Sequence, residues 1–233
     1  MDAIVLAGGK SQEDPLSEMT GGELKSTLPI AGKPMVQWVL DALSESKSID
    51  QVVVMGIDDT ASLTCKKPLL YLPDEGSLIG NMQKASLELD EIHPQETHAI
   101  SISADIPTVT AGIIDHLAAI YQKAEVDIYY GVVEQRIMEE RFPNSKRTYI
   151  KVKNDRVCGG DLNCFSKRAV LKPDALWQEL IKLRKNPLKQ AAMIGIDSLL
   201  LLVLGLIDLD QVAERVCRRM GITEKLLKYL LPK

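Results

Sequence analysis

The chain has 233 residues, 45% of them hydrophobic and 26% charged, with a formal net charge of −4 at pH 7. That is enough chain for one well-buried globular α/β domain with an appendage. The acidic balance excludes a general nucleic-acid binder, because affinity for the phosphate backbone rests on clustered Lys and Arg. Cys65, Cys158, Cys164 and Cys217 follow no CxxC spacing and are accompanied by only three histidines. Neither a zinc site nor a disulfide framework is legible, which points to a reducing cytoplasm. The first residues carry no basic n-region and do not read as a signal peptide.

Ala3-Ile4-Val5-Leu6-Ala7 is an uncharged apolar run, the pattern of a strand buried on both faces of a parallel sheet. Gly8-Gly9-Lys10 follows at once: two glycines permit a sharp turn, successive N–H groups can face an anion, and Lys10 adds charge. The polar stretch from Ser11 to Glu23 reads as a loop, and Pro34 is placed to open a helix that runs to Ser46. Val52 to Gly56 and Pro68 to Pro73 read as strands. Asp74 to Ala85 is a glycine-bearing loop that opens a helix. The next strand, His98 to Ser103, ends in Ala104-Asp105-Ile106-Pro107. A carboxylate at the C-terminal tip of a central parallel strand stands where open α/β sheets bind ligands.

A helix over Ala111 to Gln122 and a strand over Val126 to Val133 come next. Glu134 to Ser145 reads as a charged excursion, and Arg147 to Lys153 as a strand with basic residues on one side. Arg156-Val157-Cys158 leads into Gly159-Gly160-Asp161-Leu162-Asn163. From Lys167 to Lys233 the pattern is helical. Arg184-Lys185-Asn186-Pro187 reads as a solvated basic turn between two helices. The apolar stretch Ser198 to Ile207, bracketed by Asp197 and Asp208, is about half the ~20 residues a membrane span needs. It is expected to be buried under neighbouring helices or in a homodimer, without stable membrane insertion.

Leu6-Ala7-Gly8-Gly9, followed by Lys25 shortly before Ala31-Gly32-Lys33-Pro34-Met35, resembles the opening of sugar-phosphate and cofactor nucleotidyltransferases. Within them it is most similar to the MobA-like molybdenum-cofactor guanylyltransferase group. The resemblance covers residues 2–163. It implies an α/β fold with a Rossmann-like, mostly parallel mixed sheet of the nucleotide-diphospho-sugar transferase type. The catalytic core is expected over residues 1–166. A helical C-terminal extension over 167–233 would pack on the core or at a dimer interface.

The same resemblance assigns roles. Leu6, Ala7, Gly8, Gly9 and Lys10 would cradle the nucleotide, Lys25 would neutralise its phosphates, and the loop carrying Gly76 and Asn81 would touch base and ribose. Asp105 and Asp161 would hold Mg²⁺, with Asn163 as the alternative to Asp161, where the family usually has asparagine. Lys25 and Asp105 are the expected catalytic pair. The family also carries an arginine shortly after the glycines, and here Ser11-Gln12-Glu13-Asp14 has none.

The expected reaction joins an NMP, taken from an NTP, to a phosphorylated small-molecule acceptor and releases pyrophosphate. Positioning and charge neutralisation would carry the catalysis, with no general base if the acceptor is already anionic. A GxxxxGK[ST] loop is absent, as is GxGxxG after the first strand, which excludes a P-loop ATPase and disfavours a dinucleotide enzyme. Two alternatives stand: a glycosyltransferase using a nucleotide sugar, and a nucleotide-binding protein without catalysis.

Overall fold

The computed structural model describes residues 1–8, 20–21, 24–122, 126–145, 147–153, 155–171, 179, 209–220 and 224–228. In chain order the elements are β1 (Asp2–Leu6), a 3-10 turn (Lys25–Thr27), β2 (Pro29–Ile30), β3 (Lys33–Pro34) and α1 (Met35–Glu45). Then come β4 (Gln51–Met55), β5 (Leu69–Leu72), α2 (Leu78–Ile92), β6 (His98–Ser103), α3 (Ala111–Tyr121), β7 (Ile128–Glu134) and α4 (Gln135–Arg141). The order closes with β8 (Ile150–Val152), β9 (Asp155–Gly159), β10 (Leu162–Ser166), α5 (Lys167–Leu171), α6 (Leu209–Met220) and β11 (Glu224–Lys228). The chain divides into two compact units, Met1–Glu125 with Cys164–Leu171, and Val126–Asn163 with Lys172–Lys233. This division differs from the boundary expected after residue 166.

In the first unit β5, β4, β1 and β6 lie side by side in that order and run parallel. Ala3, Ile4, Val5 and Val52 to Met55 are fully buried, which accounts for their unbroken apolar runs. Register aligns the strand ends: Leu6 pairs with Met55 and with Ser103, and Met55 pairs with Leu72. The residues that follow the four strands therefore share one edge. Helix α1 buries Met35, Val36, Val39, Leu40 and Leu43, an i, i+3, i+4 stripe. Pro34 stands one residue before that helix rather than inside it, closing a two-strand hairpin. The two hairpin-turn residues, Ala31 and Gly32, both take positive φ (49° and 89°), the geometry of a two-residue primed turn.

Two charged groups fasten helices at their ends. Asp115 on α3 accepts from Ser46 Oγ (2.6 Å) and from the N–H groups of Lys47 and Ser48, fixing the exit from α1. Lys167 is buried, and its Nζ donates to His93 O (2.9 Å) and pairs with Asp90 (3.0 Å) at the C-terminal end of α2. A cation there satisfies terminal carbonyls and complements the helix dipole.

In the second unit β7 pairs in parallel with β11 and antiparallel with β9, and β9 pairs antiparallel with β8. The chain is thus α/β with mostly parallel, mixed strand pairing. Several expectations are corrected. The wholly helical tail is interrupted by β11, whose Glu-Lys-Leu-Leu-Lys sequence has no strand alternation and is extended because it pairs with β7. The excursion after β7 contains α4, and the strand expected over Arg147 to Lys153 is only Ile150–Val152. The expectations for 184–187 and 198–207 lie outside the described residues.

At the tip of β4, Gly56 takes φ +86°, and a Cβ built on it would lie 2.3 Å from Gly8 Cα. Gly56→Ala is expected to destabilise the fold by about 2–3 kcal/mol, combining left-handed strain with backbone displacement. Urea unfolding would read this as a lower midpoint at unchanged slope. An unchanged midpoint would mean that these two backbones do not meet.

Candidate functional site

The aligned edge of the first unit gathers Ala7-Gly8, Gly56, Pro73-Asp74 and Ala104-Asp105. Backbone bonds extend the ladder past the strands: Ala7 N donates to Met55 O (3.0 Å), Gly56 N to Leu72 O (2.8 Å) and Ala104 N to Leu6 O (3.2 Å). The 3-10 turn is pinned onto this edge by buried Ser26, whose Oγ donates to Ala7 O at 2.7 Å. Its neighbour Lys25 is thereby held against the tip of β6, where its Nζ donates to Asp105 Oδ2 at 2.8 Å.

Lys25 and Asp105 are part-exposed, at 34% and 37%. Burial pushes the Asp105 carboxyl upward. The hydrogen bonds from Lys25 and from Ser103 Oγ on Oδ1, with the Lys25 charge, outweigh burial and hold it below the usual carboxylate range. Asp105 is therefore an ionised carboxylate already engaged by a cation.

On the other side of β1, the loop after β5 is organised by Asn81. Its buried amide accepts from Glu75 N (2.7 Å) through Oδ1 and donates to Asp74 Oδ1 (2.9 Å) through Nδ2. Gly76 N also donates to Asp74 Oδ1 (3.1 Å), and Ser77 caps α2 by accepting from Gly80 N (3.0 Å). Gly76 is exposed with φ +72° and open space where a Cβ would project. Sequence reasoning placed Asn81 against the nucleotide, but its amide is committed to shaping this loop. The carboxylate of Asp74 rests over Gly8, with Cγ 3.1 Å and Oδ2 3.2 Å from a Cβ built there. Sequence reasoning passed over Asp74; its one signal was a carboxylate directly after a strand and a proline.

Lys33 of the Ala-Gly-Lys-Pro-Met segment lies 3.5 Å over the Trp38 ring and pairs with Asp41. It braces the hairpin on α1. Gly9, Lys10 and most of the Ser11 to Glu23 loop lie outside the described residues.

In the second unit Asp161 Oδ2 accepts from Arg147 Nη2 at 2.6 Å, both side chains about one-third exposed. Asn163, the alternative ligand, is committed to the backbone, accepting from Gly131 N at 3.0 Å. Among the described residues no three acidic, histidine or cysteine side chains converge. Asp105 and Asp161 each supply hard carboxylate oxygens that a basic side chain now occupies. That donor chemistry fits Mg²⁺, which takes one or two protein carboxylates and completes its shell with phosphate and water oxygens.

The chain belongs to the family of the MobA-like NTP transferase domain, which it matches over residues 3–191. A 3-deoxy-manno-octulosonate cytidylyltransferase of Synechococcus elongatus is 31% identical over 106 residues, covering 44% of this chain and 42% of that protein. The match thus spans less than half of that relative. A hypothetical transferase from Thermus thermophilus is 32% identical with a TM-score of 0.81, covering 99% of this chain and 93% of the other. CMP:2-keto-3-deoxy-manno-octonic acid synthetase complexed with CTP shares the fold, with a TM-score of 0.57 at 12% identity and coverage of 98% and 89%.

Because the folded value of Asp105 lies below its ordinary 3.8, its ionised form stabilises the native state above that pH. This contribution is lost as pH falls through the lower folded value. Lys25→Ala removes the largest opposing contact, so the Asp105 carboxyl is expected to titrate higher. Carboxyl-carbon NMR titration measures both values; an unchanged Asp105 curve in the variant would contradict the pairing.

Proposed function

We propose that this protein is a Mg²⁺-dependent nucleotidyltransferase. It would transfer an NMP from an NTP to a phosphorylated small-molecule acceptor and release pyrophosphate. The observation that carries the reading is the Lys25–Asp105 pair at 2.8 Å, set beside the glycine tip of β1 on the ligand-binding edge of a parallel sheet. Family membership supports the same reading. An acceptor phosphate oxygen attacks the α-phosphorus, a new P–O bond forms, and the bond to the β-phosphate oxygen breaks with pyrophosphate leaving.

This chain's residues act on the charge of both reactants. Gly8, having no side chain, lets the Asp74 carboxylate rest at the tip of β1. Lys25, steered by Ser26, turns its ammonium to the phosphates as they arrive. Asp105, kept ionised by Lys25 and Ser103, and Asp161 would hold Mg²⁺, which when bound neutralises phosphate charge and orients the leaving group. Cytoplasmic residence fits the cysteines, which form no disulfide among the described residues.

Pyrophosphate release, followed with each of the four NTPs, Mg²⁺ and a panel of phosphorylated metabolites, tests the reading. Asp105→Asn is expected to lower turnover by about 100-fold or more while circular dichroism stays unchanged. Lys25→Ala should weaken NTP binding. Full turnover by Asp105→Asn would overturn the assignment.

A further inference from the structure

Strand β5 closes one side of the first unit's sheet, and its outer edge pairs with no strand among the described residues. Its inner edge is fixed by the ladder to β4. Val52 N donates to Pro68 O (3.0 Å) and Gly56 N to Leu72 O (2.8 Å), with Val52 and Val54 in register with Leu69 and Tyr71. Bonding groups alternate along a strand, so Pro68, Leu70 and Leu72 serve β4. The N–H and C=O groups of Leu69 and Tyr71 therefore point the other way, along the outer edge. Both residues are half-buried, and the strand Leu69-Leu70-Tyr71-Leu72 carries no charge. An apolar edge of this kind is a template for another strand.

The flanking residues say which strand. The sequence reads Lys66-Lys67-Pro68-Leu69-Leu70-Tyr71-Leu72-Pro73-Asp74-Glu75, with cations before one proline and carboxylates after the other. Turned end for end, it is its own electrostatic complement. An antiparallel pairing of two copies centred on Leu70 lets Leu69 of each exchange both backbone bonds with Tyr71 of the other. The same pairing brings Lys66 and Lys67 against the Asp74-Glu75 end. A parallel pairing would set lysine against lysine, so charge selects the antiparallel arrangement. Lys66 pairs with Glu45 and Asp74 is bound by Asn81, whereas Lys67 and Glu75 form no salt bridge among the described residues.

We propose that β5 is a self-pairing edge, on which a second copy of this chain adds its own β5 antiparallel about a twofold axis. The outward backbone groups of Leu69 and Tyr71 carry the ladder. Pro73 has no N–H to extend it further. Each copy covers the edge of the other, so association stops at two chains. Lys67 of each copy comes beside Glu75 of the other, in the loop whose Asp74 rests over Gly8. The seam thus reaches the ligand-binding edge of both copies.

Sedimentation equilibrium of the full chain, from micromolar to millimolar concentration, tests this. The mass is expected to rise from one chain to two and no further. Amide exchange followed by NMR locates the contact, with the Leu69 and Tyr71 N–H groups slowing as the dimer fills. Lys67→Glu is expected to weaken association about tenfold, and Lys67→Glu with Glu75→Lys to restore it within about threefold. Tyr71→Pro removes an outward donor and leaves the bonds to β4 in place, so this variant should stay folded by circular dichroism and monomeric. If Tyr71→Pro does not fold, the amide and charge-swap measurements decide. A single-chain mass at millimolar concentration or assemblies larger than two would overturn the proposal. So would association that Lys67→Glu or a folded Tyr71→Pro leaves unchanged, that the charge swap fails to restore, or that leaves exchange at Leu69 and Tyr71 as in the monomer.

Discussion

The contact between the Gly8 and Gly56 backbones, where β1 and β4 end, sets the geometry of everything around it. A Cβ on Gly56 would sit 2.3 Å from Gly8 Cα, so no other residue type fits without moving a strand tip. With both side chains absent, the edge has a floor of backbone alone. The Ala7 carbonyl beside it takes the Ser26 hydroxyl, which carries the 3-10 turn and its lysine into place. The Asp74 carboxylate comes to rest on the other side of the same floor. Strand register, the glycines and one serine hydroxyl thus deliver a cation and two carboxylates to one edge.

Electrostatics then divides that edge. Asp105 would be driven toward the neutral acid by its partial burial, and hydrogen bonds from Lys25 and Ser103 reverse the balance. An ionised carboxylate beside an ammonium is nearly neutral as a unit, yet each partner can exchange the other for a stronger ligand. The lysine can turn to phosphate and the aspartate to a hard cation. In the second unit Arg147 likewise pairs a basic side chain with a carboxylate, Asp161. Exposed pairs of this kind add little to stability.

Much of this was legible in the sequence, for identifiable reasons. Strands buried in a parallel sheet run largely apolar, which exposed β1 and β4, and a glycine or aspartate close after a central strand marks a ligand edge. Asp105 was found that way, Lys25 came from the family resemblance, and the two side chains meet. Asn81 was read as a ligand contact because the family resemblance puts its loop against base and ribose. Only coordinates reveal that both of its ends serve the loop. Lys33 looked like part of the same motif, but its partners Trp38 and Asp41 sit one and two helical turns along α1, a packing relation that the motif does not state. Strand β11 was hidden because leucines at Leu226, Leu227, Leu230 and Leu231 mimic a helical stripe, and its extended form depends on β7, almost a hundred residues earlier.

The most direct test of the account is to map where a nucleotide touches the chain. Titrating isotope-labelled protein with a non-hydrolysable NTP analogue and Mg²⁺, and following backbone and side-chain NMR shifts, resolves the contact surface residue by residue. The account predicts the largest changes at Ala7, Gly8, Lys25, Asp74 and Asp105, with the Lys25 ammonium signal departing from its Asp105-paired position. Saturable binding that leaves these residues unmoved and perturbs another face would contradict it.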